Sequence, residues 1–419
     1  MNEKKEVLWW ADSPTVATGF GTVSRNLLKV LHETGKYRFT VLGISYMGVP
    51  YDIEKFPYLK FPEQGGLFPA AEGQDIYGFS RVLKTLQTGI FDVLFILNDP
   101  FVIAACLSHI LRVRDEAKKK FKIVFYFPTD VPPKKEWVSE VIAKVDFPVA
   151  YTDYGVREIA KHMAPDSAPF GRIYHGTDKS IFFPIVGEAR AMLRKALFGT
   201  VAEHFIILNV NRNQPRKDLN RTFEVFAKVH KKIPETFLYI LAATNDVGGN
   251  LIEIAEQHGL VYGKDWGAPP VGLYNPNQGV PVETVNQIYN CADLVMTTTL
   301  GEGWGLSITE AMACKVPVIA PRHTSLQEIV GENEERGFLV KCGGPDHTVS
   351  LGAQDNNRVR PAVHVDEMAE DIIKIIRYPS KTQKKIAAAA AWVPSWDDVG
   401  ASWREIFELA TKQEEPENP

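Results

Sequence analysis

Residues Thr297 to Pro321 read TTTLGEGWGLSITEAMACKVPVIAP. The stretch leaves an apolar strand-like run, DLVMTT (293–298), through a glycine-rich turn. It then enters a segment of helical propensity with Ile308, Ala311 and Met312 on one side, and ends in a second strand-like run, PVIAP (317–321). Strand, turn, helix and strand in that order are the unit from which parallel sheets with helical covers are built. Glycines 301, 303 and 305 let a ligand approach the backbone, and the helix start that follows offers N–H groups and a positive dipole end, a seat for phosphate. Glu302 precedes the seat and Glu310 is placed two turns into the helix. On spacing alone, an ordinary exposed helical glutamate and a cap-like acid account for the pair equally well.

Working outward, the same alternation fills the chain. VLWWA (7–11), FTVLGI (39–44), DVLFIL (92–97), IVFYF (123–127) and FPVAYT (147–152) are strand candidates of a first domain. VSRNLLKVLHETG follows the first of them as a helix with Val23, Leu27, Val30 and Leu31 on one face and Gly35 as its C-cap. Near residue 184 the pattern restarts with FIILNVN (205–211), a helix through 222–233, FLYILA (237–242) and a helix from Leu251 to His258. Two doubly wound Rossmann-like α/β domains follow, spanning 1–183 and 184–380, with ligands expected in the crevice outside the carboxyl ends of the strands. SWDDVGASWREIFELAT carries Trp396, Val399, Trp403, Ile406, Phe407 and Ala410 on one stripe, so it is read as a helix that docks on another surface, at the end of a helical segment spanning 381–411. Residues 412–419, KQEEPENP, are read as a disordered tail.

With 419 residues, a net charge of −4 and 23% charged residues, the chain is too long for one core. It also lacks the basic field of a typical nucleic-acid binder. The four cysteines are scattered, with neither a C-x-x-C pair nor a zinc spacing, and no apolar run approaches a membrane span. The expected setting is cytoplasmic, with peripheral membrane contact left open.

A second loop bears on the turn. ILNVNRNQPRKDLNRTFEVF ends a strand with Arg212, Arg216 and Lys217 just ahead of an amphipathic helix, where cations are suited to a diphosphate. Arg212 and Lys217 with four residues between them, the run Glu302-Gly-Trp-Gly-Leu-Ser-Ile-Thr-Glu310, Val316-Pro-Val-Ile, TSLQEIV (324–330) and RGFLV (336–340) together resemble the GT-B glycosyltransferases of the family-four retaining type. The resemblance is close over about 205–345 and patchy in the first domain, with IYHGTDKSIFFP (173–184) similar to the family's interdomain segment and the helices of 381–411 similar to those that cross back to the first domain.

The resemblance implies a nucleotide diphosphate sugar as donor and a role for each residue. Arg212 and Lys217 would bind the diphosphate. Glu302 and the backbone of Gly303, Trp304, Gly305, Leu306 and Ser307 would hold the sugar hydroxyls and distal phosphate, and Glu310 the ribose. Lys217-Asp218 stands where the family usually has Lys-Gly. In the first domain Gly19 and Gly21, before a helix, are candidate donor contacts, with a plain turn as the equal alternative. Asp130, in FPTDVPP, is a candidate catalytic group where relatives commonly offer a histidine. His175 reads as a structural histidine.

No Asp-x-Asp occurs, so metal independence and no cofactor are expected. The competing readings are a phosphorylase or epimerase on the same fold, and a silent nucleotide-sugar binder. The acceptor is a glycan, lipid or other hydroxyl compound. The basic runs 109–122 and 132–137 could steer an anionic one, including a nucleic acid, although solvated helix faces account for them more simply. The loop 269–286 is placed beside the nucleotide base.

Overall fold

The computed structural model describes residues 3–117, 119–164, 171–270 and 279–412. The chain divides into two compact units, one of residues up to Gly176 together with those from Pro394 onward, the other Thr177–Val393. The tail after 412 and the central part of the 269–286 loop lie outside the described residues.

The first unit is built on seven parallel strands, β1 (Lys5–Asp12), β2 (Tyr37–Ile44), β3 (Gly66–Pro69), β4 (Val93–Leu97), β5 (Lys122–Phe127), β6 (Phe147–Ala150) and β7 (Gly171–Arg172), ordered β3-β2-β1-β4-β5-β6-β7. β1 is apolar on both faces because both are covered, and Val7 through Ala11 are all buried. Its successive side chains point opposite ways. Trp9 stacks on Phe95 at 3.7 Å between centroids and meets Phe407 at 6.5 Å. Trp10 enters the other core, beside Leu42 and Ile96, and donates its indole N–H to the Tyr77 carbonyl at 2.8 Å.

The face bearing Trp9 is covered by the helix Trp396–Thr411, which begins with a capping box between Ser395 and Asp398. Trp403 packs on Tyr126 and Phe95 at 4.7 and 5.7 Å, and Phe407 on Tyr37 at 5.5 Å. Gly400 joins this stripe because a Cβ there would come within 2.9 Å of Val30 in the helix Gly19–His32, whereas Ile406 is only half buried.

The second unit holds six parallel strands, β8 (Phe205–Asn209), β9 (Thr236–Ile240), β10 (Trp266–Gly267), β11 (Leu294–Met296), β12 (Val318–Pro321) and β13 (Phe338–Val340), ordered β10-β9-β8-β11-β12-β13. The quoted stretch supplies β12 and the helix Leu306–Ala313 that reaches it from β11. The chain reverses its direction of travel across the sheet between β8 and β11, so the loops after these two strands emerge side by side. The helix Gln383–Trp392 belongs to this unit, packed against Leu306–Ala313, and only Trp396–Thr411 joins the first. Among the described residues no helix is long and apolar enough to cross a membrane.

Trp403→Ala is expected to cost roughly 3–5 kcal/mol by leaving a cavity under the C-terminal helix. Leu409→Ala, at a side chain 52% exposed, is expected to stay within about 0.5 kcal/mol. Urea unfolding of the two variants checks the difference.

Candidate functional site

The loop after β8 carries the cations. A short turn over Pro215–Lys217 is fixed by the Lys217 N–H on the Gln214 carbonyl, and the Arg216 carbonyl accepts from the Leu300 N–H at 2.8 Å. This ties the loop after β8 to the loop after β11. Lys217 then reaches across to donate to Glu302 Oε1, while the Arg216 guanidinium donates to the Gly301 carbonyl and lies 3.6 Å from Glu302 Oε2. The Lys217 and Glu302 side chains are 13% and 11% exposed. Burial alone would raise the Glu302 carboxyl, but Lys217, Arg216 and hydrogen bonds outweigh it and hold the group at about 2. Glu302 is therefore an anion that fixes two cations, and proton transfer at neutral pH is not its chemistry.

Arg212 pairs with a different carboxylate. Its guanidinium makes a two-point contact with Asp246, at 2.8 and 3.1 Å, and its side chain is 58% exposed. Asp218, where a glycine is the family's habit, takes φ +47° and ψ +52°. Its carboxylate caps the helix Leu219–Lys232, accepting from the Arg221 backbone N–H at 3.4 Å and from Nε at 2.9 Å. Aspartate is among the few residues that tolerate this conformation, and it adds a cap that glycine cannot.

In the turn itself Gly305 has φ +115°, a conformation that demands glycine, and it opens the helix Leu306–Ala313 with no side chain to cap it. The Ile308 N–H donates to the Gly305 carbonyl at 3.0 Å, and no side-chain cap takes the N–H groups ahead of it, which suits this helix start to an anion. Because the helix starts at Leu306, Glu310 is its fifth residue, little more than one turn in, which corrects the placement two turns along. Its Oε2 accepts the hydroxyl proton of the buried Tyr289 at 2.8 Å. Burial raises the Glu310 carboxyl to about 7, with Tyr289 acting in the opposite sense. The two glutamates of the turn thus stand in opposite electrostatic states.

Three residues absent from the sequence-based candidates close the turn from behind. The Glu302 N–H donates to Thr324 Oγ1 at 3.1 Å, Ser325 donates to the Glu302 and Trp304 carbonyls, and His323 contacts the Thr299 carbonyl at 2.9 Å. Trp304 lies over Trp392, which in turn carries the Arg336 guanidinium at 4.3 Å. The RGFLV segment marked Arg336; nothing local marked His323.

In the first unit Gly19 and Gly21 lie inside the first turn of the helix Gly19–His32, which corrects their placement before it. Thr18 caps that helix, accepting from the Gly21 N–H at 2.9 Å and donating to Asp12 at 2.5 Å. A Cβ on Gly21 would come within 2.5 Å of the Val16 carbonyl oxygen, so close packing is enough to require glycine there. Asp130 lies three residues past β5, half buried. His175 is buried with Nδ1 2.7 Å from the Tyr126 hydroxyl, and burial lowers it to about 3, so it is a neutral core histidine.

Carboxylates of this unit meet part of the 109–122 basic run. Arg114 and Lys122 lie 3.0 and 3.7 Å from Asp146, and Lys119 lies 2.8 Å from Asp92. Among the described residues no three His, Cys, Asp or Glu side chains gather where they could hold a metal ion.

Residues 277–351 match the family model described as Glycosyl transferases group 1. Over 256 residues the chain is 24% identical to the D-inositol 3-phosphate glycosyltransferase of Corynebacterium kroppenstedtii, covering 56% of this chain and 55% of that protein. The chain spans about half the length of the curated relatives it matches. Sucrose-phosphate synthase from Thermosynechococcus elongatus shares the fold with a TM-score of 0.73 at 14% identity, over 97% of this chain and 99% of that one. Anabaena HepE, solved in complex with UDP-glucose, matches with a TM-score of 0.68 at 15% identity, over 96% and 99%. The architecture is thus the GT-B fold of two Rossmann-like sheets.

Two substitutions test the local physics. Asp218→Ala is expected to cost about 2 kcal/mol, from the lost cap and the positive φ, and Asp218→Gly only a fraction of that; thermal unfolding ranks them. The Glu302 carboxyl is held below its unfolded value, so its contribution is present above about pH 4.5 and is lost as pH falls towards about 2. The stability deficit of Glu302→Gln relative to the parent protein should accordingly shrink over that window, as followed by urea midpoints.

Proposed function

The chain belongs to the glycosyl transferases group 1 family, and we propose that it moves a hexosyl group from a nucleoside diphosphate sugar to an acceptor hydroxyl with retention of configuration. The observation that carries the reading is the Lys217–Glu302 joint. It holds a cationic strand-end loop against a glycine turn whose helix N-terminus is uncapped.

In this reading Lys217 and Arg212 receive the diphosphate, with the N–H groups from Gly303 to Ser307 on its distal phosphate. The cations stand where negative charge grows as the sugar–phosphate bond breaks. Glu302 keeps Lys217 oriented and offers its remaining lone pairs to sugar hydroxyls. Glu310 accepts the ribose hydroxyls. Arg212, whose side chain is 58% exposed, would exchange Asp246 for the phosphate. The acceptor hydroxyl gives its proton to a departing phosphate oxygen. Two cations and a helix dipole do the work that a divalent ion does elsewhere, so the reaction should tolerate EDTA.

The deciding experiment incubates the protein with UDP-, GDP- and ADP-hexoses, with and without EDTA, and follows thermal shift, slow donor hydrolysis and the anomeric coupling of the product. No response to any donor overturns the reading. Arg212→Ala and Lys217→Ala should each lower kcat by about 100- to 1,000-fold.

Glu310 adds a pH signature. Ribose hydroxyls favour its ionised form, and a carboxyl held near 7 is largely protonated at pH 6. Donor affinity should thus be about ten-fold weaker at pH 6 than at pH 8. Glu310→Gln should bind weakly and without that pH dependence, as read by calorimetric titration.

A further inference from the structure

Three consecutive side chains, His323, Thr324 and Ser325, follow β12 and point back into the turn that carries Glu302. All three are buried, at 6%, 6% and 0% exposure. Their hydrogen bonds form one directed series. A carbonyl oxygen only accepts, so the contact between His323 Nε2 and the Thr299 oxygen, 2.9 Å long, requires the proton on Nε2. In a neutral imidazole the other nitrogen then accepts, and Thr324 Oγ1, at 3.1 Å from Nδ1, must donate to it. The Thr324 oxygen is left free to accept the Glu302 N–H, also at 3.1 Å. Every donor and acceptor in the series is matched in one sense only.

Thr324 makes this possible at φ +48°, a conformation that a β-branched residue rarely takes and that is sustained only where surroundings over-determine it. Ser325 completes the arrangement by donating to the carbonyls of Glu302 at 2.9 Å and Trp304 at 2.5 Å. Thr299, held at one end of this series, is the residue whose hydroxyl also contacts the carbonyls of Gly301 and Arg216, at 3.1 and 3.4 Å. The series therefore spans from the cationic loop to the carboxylate turn.

We infer that His323-Thr324-Ser325 is a clamp that sets the backbone of residues 299–304 for the donor's distal phosphate, with His323 as a positioning residue locked in its neutral Nε2–H tautomer. The inference rests on the donor-site reading above and extends it to residues that touch neither phosphate nor sugar. Burial lowers the imidazole to about 4, against the opposing pull of the Thr299 carbonyl and of Glu302 and with a smaller lowering from Arg360. The ring thus stays neutral wherever the enzyme would work. A protonated ring would carry a proton on Nδ1 as well, so the Thr324 hydroxyl could no longer donate to it and that contact would run in the opposite sense.

Two measurements on the full chain test the clamp. In protein labelled with 15N-histidine, the His323 signals, assigned by their loss in His323→Gln, should report the Nε2–H tautomer from about pH 5.5 to 8. An Nδ1–H tautomer, or a protonated ring at neutral pH, overturns the inference. The second measurement compares UDP, GDP and ADP with the matching monophosphates by calorimetry. His323→Ala should weaken diphosphate binding by about ten-fold, the worth of one lost buried hydrogen bond, and change monophosphate binding less than about two-fold. His323→Gln, whose amide can still donate to Thr299, should recover most of the loss. Thr324→Ser should behave as the parent, and Thr324→Gly should resemble His323→Ala.

Equal loss for mono- and diphosphates, or loss in proportion to melting temperature with no recovery in His323→Gln, would reduce the three residues to core packing and overturn the clamp. If the parent protein binds no nucleotide, the donor reading fails on its own, and the tautomer still decides whether the clamp exists.

Discussion

An ammonium and a carboxylate that are both nearly out of reach of water join two loops separated by 85 positions in the chain. Removing either charge would leave the other buried with its closest counter-ion gone, at a cost of several kcal/mol. The loop after β8 and the turn after β11 must therefore reach their final shapes together. The backbone bond from Leu300 to Arg216 and the Arg216 contact with Gly301 follow the same line of closure. Once the pair is made, two segments that would otherwise sample many conformations behave as one surface. The entropy of ordering it is spent in folding, before a ligand arrives.

The Glu302 and Glu310 environments show how one helix start produces two kinds of carboxyl. Glu302 faces the cations and is held anionic; Glu310, one turn along, meets the Tyr289 phenol, and burial lets it take up a proton near neutrality. Nothing in the amino-acid spacing distinguishes them, and the difference comes from which neighbouring loop each meets.

The long apolar strands were legible because burial on both faces leaves continuous runs such as Val7–Ala11 and Ile206–Leu208. The glycine turn and the Arg212–Lys217 loop were legible for a related reason, since their chemistry is compressed into a few adjacent residues. β7 and β10, two residues each, left no such trace, because their place depends on a neighbour's edge rather than on their own pattern. The helix Gln383–Trp392 has an alanine-rich interior without an apolar stripe, and its partner was set by Trp392 meeting Trp304. His323 was invisible for the strictest reason. Its role is defined by a carbonyl 24 positions away, and by a threonine conformation that local preference would have forbidden. Asp218 was marked as an irregularity, and only its dihedral angles showed the aspartate doing a glycine's job with a cap in addition.

The return of Trp396–Thr411 to the first unit bears on the order in which the protein can be made. All of Thr177–Val393 leaves the ribosome before the helix that covers Trp9, Phe95 and Tyr126 exists. The second unit, contiguous in sequence, can complete its core during synthesis, as domains commonly do. The first, although begun earlier, carries an open aromatic face until its last helix emerges. The half of the molecule translated first can thus complete its core only after the half translated second has emerged.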